Sequence, residues 1–249
     1  MEEFRVDPTI AYDVVELPSR GIHYQTGKKS LRVAYLTASD ENILSAQNLI
    51  ATNTVIDELL KRKILDKDFS IDELVDEDKQ AVLIFLRNTA FGSEYNIHLT
   101  DPKTDKEFSA TLDLSEVSFK DFTLEPDSMG EFGYTMGKTN VDITFKFLSK
   151  KQQKEIDEIE KSWNGNGVAP IVTKQLEMMI KSVAGNRDMM NIRNFIEKLP
   201  IKDSQDFRKF IKEHKPSLNL SKNVKTPSGD EIQVEIGFGV EFFRPFYGL

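Results

Sequence analysis

The sequence predicts an α+β fold: an N-terminal mixed domain of short helices and antiparallel hairpins, then a helical C-terminal region ending in a β-hairpin. Three observations predict it. Apolar residues recur at helical spacing behind polar start signals over roughly 38–65 and 78–90. At Tyr95, Ile97 and Leu99 the period changes to two, and after a Thr100–Asp105 turn it returns through Phe108, Ala110 and Leu112. Beyond Trp163-Asn164-Gly165-Asn166-Gly167, the clearest break in the chain, helical spacing resumes until a last alternating pair around Thr226–Asp230. The expected division is therefore 1–163 and 168–249.

Taken in order, Phe4, Val6, Ile10, Tyr12 and Val14 share one parity, as in an extended arm or edge strand. Pro18 and Gly21 make Leu17-Pro18-Ser19-Arg20-Gly21 a compact turn that places Ile22 and Tyr24 on neighbouring structure. Leu31–Leu36 reads as a strand. Thr37 or Ser39 caps a helix running to about Thr52, with Asp40 and Glu41 in its first turn, where the helix dipole favours negative charge. A second helix covers Val55–Leu65. Ser70-x-x-Glu73 is a capping-box pattern, and Asp76-Glu77-Asp78 opens a helix over 78–90. Arg87 follows an apolar run and reads as the partner of an inward carboxylate such as Asp40 or Glu41. Gly130–Thr135 pairs with Val141–Leu148. Ser149 caps the next helix, and three more are expected over 170–184, 187–198 and 203–214. Leu220–Lys225 and Glu231–Phe238 form the final hairpin. The tail past residue 237 holds four of the chain's 17 phenylalanines, aromatic surface that packs on its own domain or on a partner.

Composition narrows the function. In 249 residues, 39% are hydrophobic, enough for a buried core, and a net charge of -8 repels nucleic acid and anionic membranes. No apolar run approaches a bilayer span, and the N-terminus lacks a signal-peptide layout. Zero cysteines exclude disulfides and a cysteine nucleophile. His23, His98 and His214 lie in separate elements without metal-ligand or triad spacing. The acids Asp72, Glu73, Asp76, Glu77 and Asp78 point in different directions on a helix start and read as solvated, not as a metal cluster. Gly137-Lys138-Thr139 precedes a strand instead of a helix, which breaks the phosphate-loop pattern. Met178-Met179 and Met189-Met190 read as core filling ahead of an adaptable partner surface. No residue is assigned a catalytic, cofactor-binding or metal-ligating role, and no cofactor is expected.

Leu17-Pro18-Ser19-Arg20-Gly21-x-x-Tyr24, Leu36-Thr37-x-x-Asp40-Glu41-x-Ile43-Leu44, Asp76-Glu77-Asp78 and Leu86-Arg87-x-x-x-Phe91-Gly92-x-x-Tyr95 follow in that order. Together with Gly239-Val240-Glu241-Phe242-Phe243-Arg244-Pro245-Phe246 they resemble the baseplate hub proteins of T-even-type contractile-tailed bacteriophages. Relatives often carry Cys-x-x-Cys pairs in two strand-linked turns. This chain has Asp101, Asp105, Ser228 and Asp230 in the corresponding turns, which excludes a thiolate zinc ribbon and leaves plain turns or a hard-cation site.

The resemblance implies a structural component of a phage tail baseplate hub, made in the host cytoplasm and located in the virion tail baseplate. It implies action through protein–protein contacts with other tail or baseplate proteins, in multiple copies of a symmetric assembly, with no nucleic acid or membrane partner. The alternatives are a non-virion assembly chaperone for the hub and an acidic metal-dependent hydrolase. Phe242, Phe243, Arg244, Phe246 and Tyr247 are the expected interaction residues, with a final core strand as the competing reading. Pro18, Gly21, Asp40, Glu41, Arg87 and Gly92 are the expected structural ones.

Overall fold

A computed structural model describes residues 10–163 and 168–243. In chain order the strands and helices begin with β1 (Tyr12–Glu16), β2 (Ser30–Ala34), α1 (Ala38–Leu44), α2 (Gln47–Ala51), α3 (Val55–Lys63) and α4 (Asp76–Phe91). A hairpin follows, β3 (Glu94–Thr100) with β4 (Glu107–Asp113), then β5 (Phe132–Thr135), β6 (Asp142–Phe145) and α5 (Lys150–Ser162). Next come α6 (Ile171–Met179), β7 (Ile180–Val183), α7 (Met189–Glu197), α8 (Ile201–His214), β8 (Ser221–Lys225) and β9 (Glu231–Glu235). The class is α+β, and all the sheets are small and antiparallel.

These elements form two compact units, and neither is continuous in sequence. The described part of the first comprises 10–20, 28–120 and 217–243; that of the second comprises 21–27, 121–163 and 168–216. This partition differs from a split at the 164–167 loop, because β7 beyond that loop pairs with β6 before it through Ile143↔Val183 and Phe145↔Ile180.

In the first unit, β1 and β2 pair with Val14 opposite Arg32 and Val15 opposite Leu31, and α4 packs on β1. Helix α4 carries Val82, Leu83 and Leu86 fully buried, on the stripe that its periodicity predicts. Residues 38–52 were expected as one helix and form two. The Ser45 hydroxyl donates to Glu41 O at 2.7 Å, a local bond that competes with helix propagation, and α2 restarts at Gln47 with no buried residue. The two hairpins, β3–β4 and β8–β9, fall where the alternation placed them.

The second unit is built on the three-stranded sheet β5-β6-β7. Phe132, Phe145, Ile180, Met179, Ile196 and Phe207 belong to its buried core, with Ile22 from the 21–27 segment packed against it. Its rings meet edge to face, as Phe145 and Phe207 do at 5.3 Å between centroids. The helix expected over 170–184 stops at Met179, and Ile180-Lys181-Ser182-Val183 is a strand. Ile180 and Val183 satisfy a buried pleat as well as they would a helix stripe, and pairing with β6 decides between them. Of the methionines, Met179 is core, whereas Met189 and Met190 are exposed, against the expectation of core filling.

Candidate functional site

The family-like motifs converge on a set of buried aspartates, each of which holds a loop. The Leu17–Arg20 turn is the first case. Arg20 N donates to Leu17 O at 2.9 Å, and Arg20 and Gly21 both take positive φ, 51° and 81°, which explains the glycine. Ser19 is fully buried, donating its amide to Asp78 Oδ1 at 2.8 Å and its hydroxyl to Asp78 Oδ2 at 2.5 Å. Asp78 was expected in water with its acidic neighbours. Asp72, Glu73 and Asp76 are exposed, but Asp78 is wholly buried because it shares a helical stripe with Val82 and Leu86.

Asp40 plays the same part at the start of α1. Its carboxylate accepts the Thr37 amide at 2.7 Å and the Thr37 hydroxyl at 2.9 Å, closing a capping box, and it pairs with the buried Lys63 and with Arg62. Burial works against ionisation there, yet Lys63 and Thr37 outweigh it and hold the carboxyl below its ordinary range. Glu41 is exposed.

Arg87 is buried but meets neither Asp40 nor Glu41. Its guanidinium donates to Gly92 O at 3.1 Å and Glu94 O at 3.0 Å, the chain reversal that leads from α4 into β3. Gly92, at φ 80°, makes that reversal. The cation lies 5.1 Å from the Tyr95 ring centroid and 5.6 Å from that of Phe242, and burial pulls its pKa down. The expected carboxylate is replaced by two carbonyls and a set of rings.

Phe242 and Phe243 complete this cluster, and they correct the expectation of an interaction patch at those two positions. Both are 1% exposed in a short helical turn over Val240–Phe243, with Phe242 5.2 Å from Tyr95 and 5.3 Å from Phe243. Their rings are spent on their own unit. Arg244, Phe246 and Tyr247 lie outside the described residues.

The two hairpin turns are brought together. Asp101, fully buried, accepts the Lys103 amide at 2.9 Å, the Ser228 amide at 3.1 Å and the Ser228 hydroxyl at 3.0 Å. Burial pushes its carboxyl up, but these donors outweigh it and hold it low. Lys103 Nζ sits 2.8 Å from Asp230. An ammonium and amide donors thus occupy the oxygens that a hard cation would need, and Asp105 only turns the chain, with φ 54°. Among the described residues no group of three or more His, Asp or Glu is arranged to hold a metal.

In the second unit, Gly137-Lys138-Thr139 does present amides to an anion, but the anion is internal. Asp203 of α8 accepts Lys138 N at 2.6 Å, Thr139 N at 3.0 Å and the Thr139 hydroxyl at 2.9 Å. Glu131 likewise takes Arg187 through both its oxygens, at 3.0 and 2.7 Å. His23 lies edge-on to Phe147 with both ring nitrogens shut off from solvent; burial, with Lys215 nearby, outweighs the Leu148 backbone and pushes it down to about 4. His98 is exposed, meeting Ser109 at 3.1 Å, and His214 stacks on Phe210. No described helix is long and apolar enough to cross a membrane.

These carboxylates accept hydrogen bonds from loops of their own units. Among known proteins, the family model of the T4 bacteriophage base plate protein matches residues 13–244. No curated protein and no solved structure matches the chain.

Proposed function

The chain belongs to the T4 bacteriophage base plate protein family, and from that premise we propose that it is a structural component of the baseplate hub, acting through contacts with other tail proteins during assembly. The observation that carries the reading is the family match, which spans both compact units. The buried aspartates agree with it: Asp40, Asp78, Asp101 and Asp203 are bound to amides, hydroxyls and cations of their own unit. An acid–base or metal-dependent hydrolase would need such groups free in a cleft.

The aromatic end divides by role in this reading. Phe242 and Phe243 fix the segment in the first unit, and Arg244, Phe246 and Tyr247 beyond it serve as the anchor for a neighbouring tail protein, by their aromatic density. Cryo-electron microscopy of intact tails, with mass spectrometry of purified virions, tests the assignment. The chain should be found in the baseplate, and a variant ending at Phe243 should fold but fail to be incorporated. A chain present during infection and missing from finished particles would make it an assembly chaperone instead.

A further inference from the structure

Among the described residues, strand β1 has one paired edge and one open edge. Leu17 N donates to Lys29 O at 2.8 Å and Tyr35 N to Ala11 O at 3.1 Å, which fixes the phase of the ladder. Bonded and non-bonded pairs alternate in an antiparallel sheet, so residues 11, 13, 15 and 17 turn their backbone groups toward β2. The N–H and C=O groups of Tyr12, Val14 and Glu16 point the other way, and no described residue pairs with them there. The far edge of β2, by contrast, is closed: Leu65 N reaches Arg32 O at 2.9 Å and the Asp66 carboxylate takes the Arg32 amide at 2.6 Å.

The open edge also exposes apolar side chains. Ile10, Tyr12 and Val14 are 40%, 39% and 59% exposed. Proteins blunt edges of this kind with charges, above all lysine, with proline or with a bulge; β1 has no lysine, proline or bulge between Tyr12 and Glu16, and its charges, Asp13 and Glu16, are acidic. Beside it runs a groove of about 260 Å³ lined by Val15 and Glu16 of β1, Ile84 and Phe85 of α4, and Phe119, itself 41% exposed. The polar side chains along the outward-facing positions of β3, Asn96 and His98, offer nothing comparable.

We propose that the β1 edge receives an extended segment of another baseplate protein as an added strand, one in which apolar residues alternate with lysine or arginine. This rests on the baseplate reading above. Main-chain bonds to Tyr12, Val14 and Glu16 supply the attachment, and alternate side chains over the groove supply the choice of partner. Charge selects the occupant. Asp13 and Glu16 stand on the strand, so a second copy of β1 laid beside the first would set like charges on neighbouring strands, whereas a basic segment meets them favourably.

Val14→Pro tests this without touching the β1–β2 ladder, because the amide it removes faces outward. The full chain carries a photo-crosslinking phenylalanine in place of Tyr12 in cells infected with phage lacking the gene, and crosslinks are mapped by mass spectrometry. The expected result is crosslinking to a Lys/Arg-bearing extended segment of another baseplate protein, reduced at least tenfold by Val14→Pro and unaffected by Val14→Ala. Val14→Lys, at an exposed position, should give the same loss and stands in if the proline variant melts early. Crosslinks to a second copy, crosslinks indifferent to both blocking variants, or none at all in assembling tails that contain the chain, would overturn the proposal. Absence of the wild-type chain from tails and from their assembly intermediates would instead overturn the baseplate reading, and this proposal with it.

Discussion

Replacing Asp78 by alanine should be among the most damaging single changes in the first unit. The carboxylate is wholly buried and accepts two bonds from Ser19, which is wholly buried as well. Hydrogen bonds to a charged acceptor are worth about 1.5–3 kcal/mol each, and the Ser19 amide left without a partner cannot turn to water. The loss should be ~3–6 kcal/mol, comparable with the whole stability of a marginal domain. Asp78→Asn keeps one acceptor and should lose ~1–3 kcal/mol, while Ser19→Ala, which removes only the hydroxyl, should lose about 1–2 kcal/mol. Urea unfolding followed by circular dichroism gives the midpoints, and hydrogen exchange of a peptide spanning residues 12–20 localises the change. The lone Trp163 belongs to the second unit, so its fluorescence should report a smaller shift. An Asp78→Ala protein within 0.5 kcal/mol of wild type, with the 12–20 amides still protected, would refute the claim that this carboxylate holds the turn.

Arg87→Ala strands the Gly92 and Glu94 carbonyls and opens space beneath Tyr95 and Phe242, so denaturant melts should show a loss of about 3 kcal/mol or more, with Arg87→Lys intermediate. Phe242→Ala should cost about 3–5 kcal/mol as a buried ring is lost, which separates its packing role from that of the residues beyond it. His23 is held neutral in the fold at about 4, below its ordinary 6.5, so the unfolded chain takes up its proton first as pH falls. Its contribution is complete above about 6.5 and is lost as pH drops toward about 4, up to ~3 kcal/mol, and His23→Phe should flatten that part of the stability–pH curve. Asp101→Ala should lower the melting temperature and expose the amides of both hairpin turns to exchange, whereas Lys103→Ala, removing an exposed ion pair, should change little.

Much of the fold was legible because it is written in local periodicity. Helix α4, expected over 78–90, spans Asp76–Phe91, and both outer hairpins lie where alternation placed them. Asp78 was expected in water because of its acidic neighbours, although 78, 82 and 86 form one helical stripe and the side chain is buried. Other features leave no local trace. The partners of Arg87 are carbonyls, which any residue supplies, so sequence pointed to carboxylates instead. Asp101 finds Ser228 across 127 positions, and Ile180–Val183 became a strand through a neighbour that periodicity does not see. The open edge of β1 is of the same kind: the alternation of Tyr12 and Val14 indicates a strand, and only the ladder's phase tells which side is bare.

The order in which a ribosome delivers this chain sets the order in which it can close. The described part of the first unit runs from β1 to β9 and Phe243, with most of the second unit synthesised in between. Asp101 must wait 127 residues for Ser228, which at about 5–20 residues per second is roughly 6–25 s of translation. The nascent chain can complete its second unit first, while Arg87, Tyr95 and the β3–β4 turn stay unsealed until Ser228 and Phe242 emerge. A prematurely terminated product therefore lacks both the Ser228 donor and the Phe242 ring, and remains open to proteases. Only a copy translated past Phe242 can therefore present a closed first unit.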